Sequence, residues 1–191
     1  MFNLLKKNVL FFISLFLVLI VFLFYLQYPF RAQKENLDSS EYKKIIKKIN
    51  KKNSKNLIEA EHFIIKNQNI YGTLTALYLA KKYTLEGTLN KAFLQLNNSL
   101  KYTKEENLKN ILKLRMAKIK MQNSENKDAL NILENIKNHN WDNIIENMKG
   151  DIFINEKNKK EAIKAWRKSL SIENSNASKE IINIKIAELN E

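Results

Sequence analysis

Apolar positions along this chain follow two regimes. From Asn8 to Phe30 they are nearly continuous: no charge interrupts the run, and about seventeen of its roughly 23 residues are Leu, Ile, Val or Phe. Beyond Asp38 they recur every three or four residues, and the breaks between periodic segments are filled with Asn, Lys and Ser. That pattern predicts a succession of amphipathic helices joined by short turns, with no sheet. Tyr42, Ile45, Ile46 and Ile49 share one face of the first helix, which a capping box at Asp38–Glu41 would start. Leu57, Phe63 and Ile64 mark a second helix after the polar break at Lys51–Asn56. Tyr71–Leu100 reads as two helices turning at Gly87. Thr103 with Glu106 predicts another capped start, leading into Leu112, Met116 and Ile119, and the partner helix carries Ala129, Leu130, Leu133 and Ile136. A further pair places Ile144, Ile145, Met148 and Phe153 against Ala162, Ile163, Trp166 and Leu170. A last helix over 177–189 carries Ile181, Ile182, Ile184 and Ile186, with Lys179, Glu180 and Lys185 on its wetter side.

Small residues keep register across these pairs. Ala80 and Ala92 reappear about 37 residues later as Ala117 and Ala129, and about 33 later again as Gly150 and Ala162. Leu96, Leu133 and Trp166 share another slot; Tyr83 and Phe153 share a third, which Lys120 interrupts. These spacings bracket the roughly 34-residue period of tetratricopeptide-like repeats. Small side chains belong where the two helices of a unit cross closely, because a large one would push the backbones apart. Ala80, Ala92, Ala117, Ala129, Gly150 and Ala162 are therefore the expected packing points. The fold class expected is all-α: a single N-terminal transmembrane helix followed by a tetratricopeptide-like repeat domain. Its parts are a short tail (1–7), the span (8–30), a linker (31–37) and a repeat domain (38–191) with repeats over 38–68, 70–102, 104–138 and 141–171. The helix at 177–189 would cap the apolar end of the stack, which repeat proteins need for solubility.

A helix over 8–30 would be about 34 Å long, enough for a hydrocarbon core of about 30 Å. A cleaved signal peptide fits poorly: the apolar core is too long, and Tyr28, Pro29, Phe30 and Arg31 offer no small-x-small site. Tyr25 and Tyr28 would stand in the far interfacial belt. Lys6 and Lys7 precede the span, Arg31 and Lys34 follow it, and Lys43, Lys44, Lys47 and Lys48 lie further out, so basic residues alone leave the orientation open. The lysine face of the first amphipathic helix reads as a solvated face, with anionic lipid headgroups as the alternative contact.

The formal net charge is +13. Lys, Asn and Ile are over-used together along the whole chain, however, and no arginine-rich or aromatic-interleaved basic motif appears, so no nucleic acid partner is expected. With no cysteine and three glycines there is no thiol chemistry and little with which to build a phosphate loop. His62 and His139 lie far apart in sequence, no nucleophile stands beside a base, and no catalytic, metal or cofactor residue is assigned.

The order of features resembles the YfgM-like ancillary subunits of the SecYEG translocon. The resemblance runs from the span to the C-terminus and is most specific at Asn69-Ile70-Tyr71-Gly72, Leu79-Ala80, Glu105-Glu106-Asn107-Leu108-Lys109, Leu114-Arg115-Met116-Ala117, Ala129-Leu130, Gly150-Asp151 and Ala165-Trp166. It implies a non-enzymatic, single-pass type II inner-membrane protein with a cytosolic N-terminus and a periplasmic repeat domain. Its implied partners are SecYEG, a PpiD-like periplasmic chaperone and translocating polypeptides, which it would help to pass into the chaperone network. The tail Met1–Lys7 is shorter, and the chain more basic, than is usual in that family. The residues by themselves also admit a scaffold for another envelope assembly, or a cytosolic-face binder of nucleic acid or acidic lipid.

In such repeats the first helix of each unit lines the binding groove. This nominates Leu77 and Lys81, Leu114 and Lys118, and Asn147 and Asp151. The Lys and Asn set of a carboxylate clamp is missing from these slots. A partly apolar groove is expected, with lysines steering approach.

Overall fold

The computed structural model describes residues 16–19, 39–51 and 53–189. The chain divides at Asp38 into two units. In the first, Phe16–Leu19 are helical and more than half exposed. The rest of the predicted span, both its flanks and the Asp38 half of the first capping box lie outside the described residues. Among those described, no helix is long and apolar enough to cross a membrane.

The second unit contains nine α-helices and no strand among the described residues: α1 (Ser39–Asn50), α2 (Ser54–Lys66), α3 (Ile70–Leu85), α4 (Leu89–Leu100), α5 (Glu106–Gln122), α6 (Asn126–Glu134), α7 (Asp142–Asn155), α8 (Lys159–Ile172) and α9 (Asn176–Ala187). A 3-10 turn, His139–Trp141, leads into α7. Each helix packs on its neighbour in sequence, and α1 also packs on α3, α2 on α4 and α5 on α7. Three apolar clusters follow the chain. Ile49, Ile64, Leu79, Leu96 and Leu112 join α1 to α5; Ala117, Ala129, Leu133 and Ile152 join α5 to α7; Ala162, Trp166 and Ile182 join α8 to α9.

The turns show why the units repeat. Gly87, Ser124 and Lys157 have φ of 74°, 60° and 60°, the left-handed geometry that ends a helix. Around each, the chain closes the same six-residue loop: Thr88 N donates to Tyr83 O at 2.9 Å, Glu125 N to Lys120 O at 2.9 Å and Asn158 N to Phe153 O at 2.8 Å. The slot shared by Tyr83, Lys120 and Phe153 is thus a backbone requirement first and a side-chain one second. Lys120 satisfies it while its ammonium pairs with Glu125 and with Asp128 (3.3 Å) and lies 4.8 Å from the Phe93 ring centroid.

Two local expectations are corrected. Thr103 does not cap α5: its Oγ1 donates to Ser99 O at 2.8 Å and meets Thr73 Oγ1 at 3.1 Å, while Glu105 caps the helix by accepting from Asn107 N and Leu108 N at 3.0 and 2.6 Å. Lys185 does not stand on the wet side of the last helix, which runs 176–187. Its ammonium reaches Asp151 Oδ1 at 2.6 Å and Asn147 Oδ1 at 2.8 Å on α7. Ile182 is the apolar anchor of α9, whereas Ile181 and Ile184 are exposed.

Candidate functional site

Helices α3 and α5 are separated by an open cavity of about 580 Å³, to which α1 contributes Tyr42 and α4 contributes Leu96. The α3 wall follows from helical spacing: Leu74, Leu77, Tyr78, Lys81 and Leu85 recur every three or four residues on one face. The opposite side of α3 is anchored by Ala76, Leu79 and Tyr83 in the first core cluster. The α5 wall is built likewise from Ile111, Arg115, Lys118, Ile119 and Gln122. Leu85, at 76%, is the most exposed large apolar side chain among the described residues.

Polar contacts fix these walls. Tyr78 donates its hydroxyl to Asn50 Oδ1 at 2.6 Å, and Tyr42 stacks on Tyr71 with centroids 5.3 Å apart, so α1 is tied to α3 at two points. Behind α3, Tyr83 donates to Glu61 Oε1 at 2.6 Å, and Gln95 donates to the same oxygen at 3.2 Å. Burial pushes the Tyr83 hydroxyl well above its ordinary pKa, and the Glu61 hydrogen bond and charge add to the rise.

Charge in the cavity is one-sided. Lys81, Arg115 and Lys118 are exposed at its rim; among the described residues none of them makes an ion pair and no carboxylate lines the cavity. The adjacent Lys82 points elsewhere and pairs with Glu86 at 3.4 Å. Away from the cavity, Lys48 pairs with Glu59, Lys168 with Glu146 at 2.9 Å and Lys185 with Asp151 at 2.6 Å.

Of the six groove residues expected from sequence, Leu77, Lys81 and Lys118 line this cavity. Leu114 does not; it lies half-buried against the second cluster. Asn147 and Asp151 stand apart on α7, engaged by Lys185 and by Trp166, whose Nε1 donates to Asn147 O and Asp151 Oδ1, each at 3.1 Å. The six small packing residues are all buried; Ala92, Ala117, Ala129 and Ala162 are fully inaccessible. Sequence reasoning missed Tyr78, Leu85, Ile111 and Arg115. The signal for Leu85 was present, since Leu77, Lys81 and Leu85 succeed one another at four-residue steps.

No group of three or more metal-ligating side chains occurs among the described residues. His139 is 93% exposed and meets Asp142 Oδ2 at 2.9 Å, and His62 lies on the exposed face of α2. Helix pairs with regular turns, buried small crossing residues and a cavity between successive first helices define a tetratricopeptide-type repeat protein. The family model of the tetratricopeptide repeat-like domain matches residues 5–191. The chain belongs to this family and, within it, to the YfgM-like ancillary SecYEG translocon subunits. A protein of that name from Buchnera aphidicola subsp. Acyrthosiphon pisum (strain APS) is 66% identical over 191 residues, covering 100% of this chain and 99% of its own. Another, from Escherichia coli (strain K12), is 32% identical over 130 residues, covering 68% of this chain and 63% of its own. The crystal structure of MamA superposes with a TM-score of 0.48 at 16% identity, covering 62% of this chain and 67% of that one.

Proposed function

We propose that this chain is a non-enzymatic docking scaffold of the SecYEG translocon. Residues 8–30 hold it in the inner membrane with the N-terminus cytosolic, and the repeat domain stands in the periplasm. There it helps to pass emerging polypeptides to the chaperone network, with a PpiD-like chaperone among its partners. Family membership and the uncharged apolar run at 8–30 support this reading. The observation that carries it is the partly apolar cavity lined from α1, α3 and α5 and bordered by cations that make no ion pair among the described residues: a surface suited to holding a chain segment.

Photo-crosslinkers placed at Leu85 and Lys118 in native membranes test it. Crosslinks to translocon subunits and to chains in transit are expected from these positions, and none from the exposed Lys160 on α8. In parallel, protease added to spheroplasts should remove the repeat domain while leaving it intact in whole cells. Protection in spheroplasts would place the domain on the cytosolic face and end this reading.

A further inference from the structure

We propose that the cavity between α3 and α5 selects an internal peptide segment whose apolar side chains are flanked by Asp or Glu. The inference rests on the docking-scaffold reading and adds the chemistry of what docks. Leu74, Leu77 and Ile111 give the site an apolar lining, so its occupant must bring apolar side chains that gain from leaving water. Its volume, about 580 Å³, lies within the range of about 300–1,000 Å³ typical of ligand sites and suits a few side chains rather than a whole domain.

The rim decides which apolar segments enter. Lys81 on one wall and Arg115 and Lys118 on the other bring three cations around a single opening, and among the described residues no carboxylate lines it and none of the three makes an ion pair. An occupant with lysines beside its apolar residues would meet like charge on both walls, whereas one with carboxylates finds partners on both. The described lining holds lysines but no Asn, so it lacks the Lys and Asn set that grips a terminal carboxylate, and acidic side chains within the segment are the complementary groups. Nucleic acid would engage the rim through its phosphates but bring no aliphatic side chains for the leucine surfaces to bury.

The test uses the full chain in non-ionic detergent and fluorescein-labelled, C-terminally amidated 12-residue peptides with Leu at four-residue spacing flanked by Glu, by Lys, or by Glu with every Leu changed to Ser. Fluorescence anisotropy should show the Leu/Glu peptide binding about tenfold tighter than the Leu/Lys peptide at low salt, a gap that narrows at about 0.5 M NaCl. The Ser version should bind far more weakly than its Leu parent. Lys81→Glu/Lys118→Glu, with its thermal unfolding checked against the parent, should invert the preference. If that variant does not fold, the peptide pair and the salt series on the parent chain decide the matter.

Equal affinity for the Glu and Lys peptides, no measurable binding of the Leu/Glu peptide, or undiminished binding of the Ser peptide each overturns the proposal. So does tighter binding of poly(U) or of phosphatidylglycerol micelles through the same lysines, which would make the rim a general anion face. Crosslinking from Leu85 to the translocon that persists when the Leu/Glu peptide does not bind removes only this ligand assignment. Loss of both removes the scaffold reading as well.

Discussion

The indole of Trp166 lies directly on the backbone of Gly150: a Cβ placed there would stand 2.3 Å from both Cδ1 and Nε1 of the ring. At that point the indole is the only side chain between α7 and α8, because Gly150 contributes none. The ring cannot slide aside without loss, because its Nε1 donates to Asn147 O and Asp151 Oδ1 at 3.1 Å each. This is the register position that Ala80 and Ala117 hold in the preceding units. Glycine here accommodates a tryptophan where the corresponding slots of those units carry Leu96 and Leu133.

Gly150→Ala should accordingly destabilise the protein although alanine is the better helix former. The intrinsic gain of about 1 kcal/mol is outweighed by forcing the indole off its seat. A net loss of about 2 kcal/mol, or roughly 4–8 °C in Tm, is expected by circular dichroism. An unchanged or higher Tm would mean that the crossing has slack.

The three left-handed turn residues are not equal. Gly87 adopts a φ of 74° without a Cβ, but Ser124 and Lys157 hold 60° with one. The double variant Ser124→Gly/Lys157→Gly should raise Tm by about 2–4 °C, a gain of roughly 0.5 kcal/mol per site after the added freedom of the unfolded chain. Gly87→Ala should lower it. The opposite ordering would show that the side chains of Ser124 and Lys157 stabilise more than their backbone strains.

Helix α9 is held by the Ile182 anchor and by the reach of Lys185 to Asp151 and Asn147, with the Lys185 ammonium also 5.5 Å from the Trp166 ring centroid. Lys185→Met keeps the stem and deletes the charge. Amide exchange across 176–187 should then accelerate about five- to tenfold, matching the roughly 1 kcal/mol of a partly exposed pair, while α3 and α4 exchange as before. Acceleration spread evenly over the domain would show that α9 unfolds with the whole rather than alone.

Two carboxyls make acid stability legible. Glu125 is held below the ordinary carboxylate range chiefly by the hydrogen bond from Lys120, then by that from Asn123; Glu173 chiefly by the Ser175 backbone N–H, then by Asn143. A carboxyl whose folded pKa lies below its unfolded value of about 4.3 stabilises the fold above that pH, and the contribution disappears as pH falls through the folded pKa. Tm should therefore stay nearly level from about pH 7 to 5 and decline below about 4.3. The double variant Glu125→Gln/Glu173→Gln should melt lower at neutral pH and lose part of the acid slope. An acid profile identical to the parent's would assign that slope to other groups.

Spacing along the chain was enough to read the helical class, the turn at Gly87 and the recurrence of small residues, because apolar and small positions return at helical steps. A four-residue step is one face of a helix, and a recurring small residue is one recurring crossing. It did not determine which faces of successive first helices enclose a common space. Leu77 and Lys118 share a cavity, whereas Leu114, only four residues before Lys118, turns toward the second core cluster, because α6 and α7 pack against that side of α5. Periodicity likewise gave Lys185 a wet face. Only the approach of α9 to α7 decided that its ammonium would end beside Asp151, since a long side chain is directed by the charge it can reach and that charge lies 34 residues away along the chain.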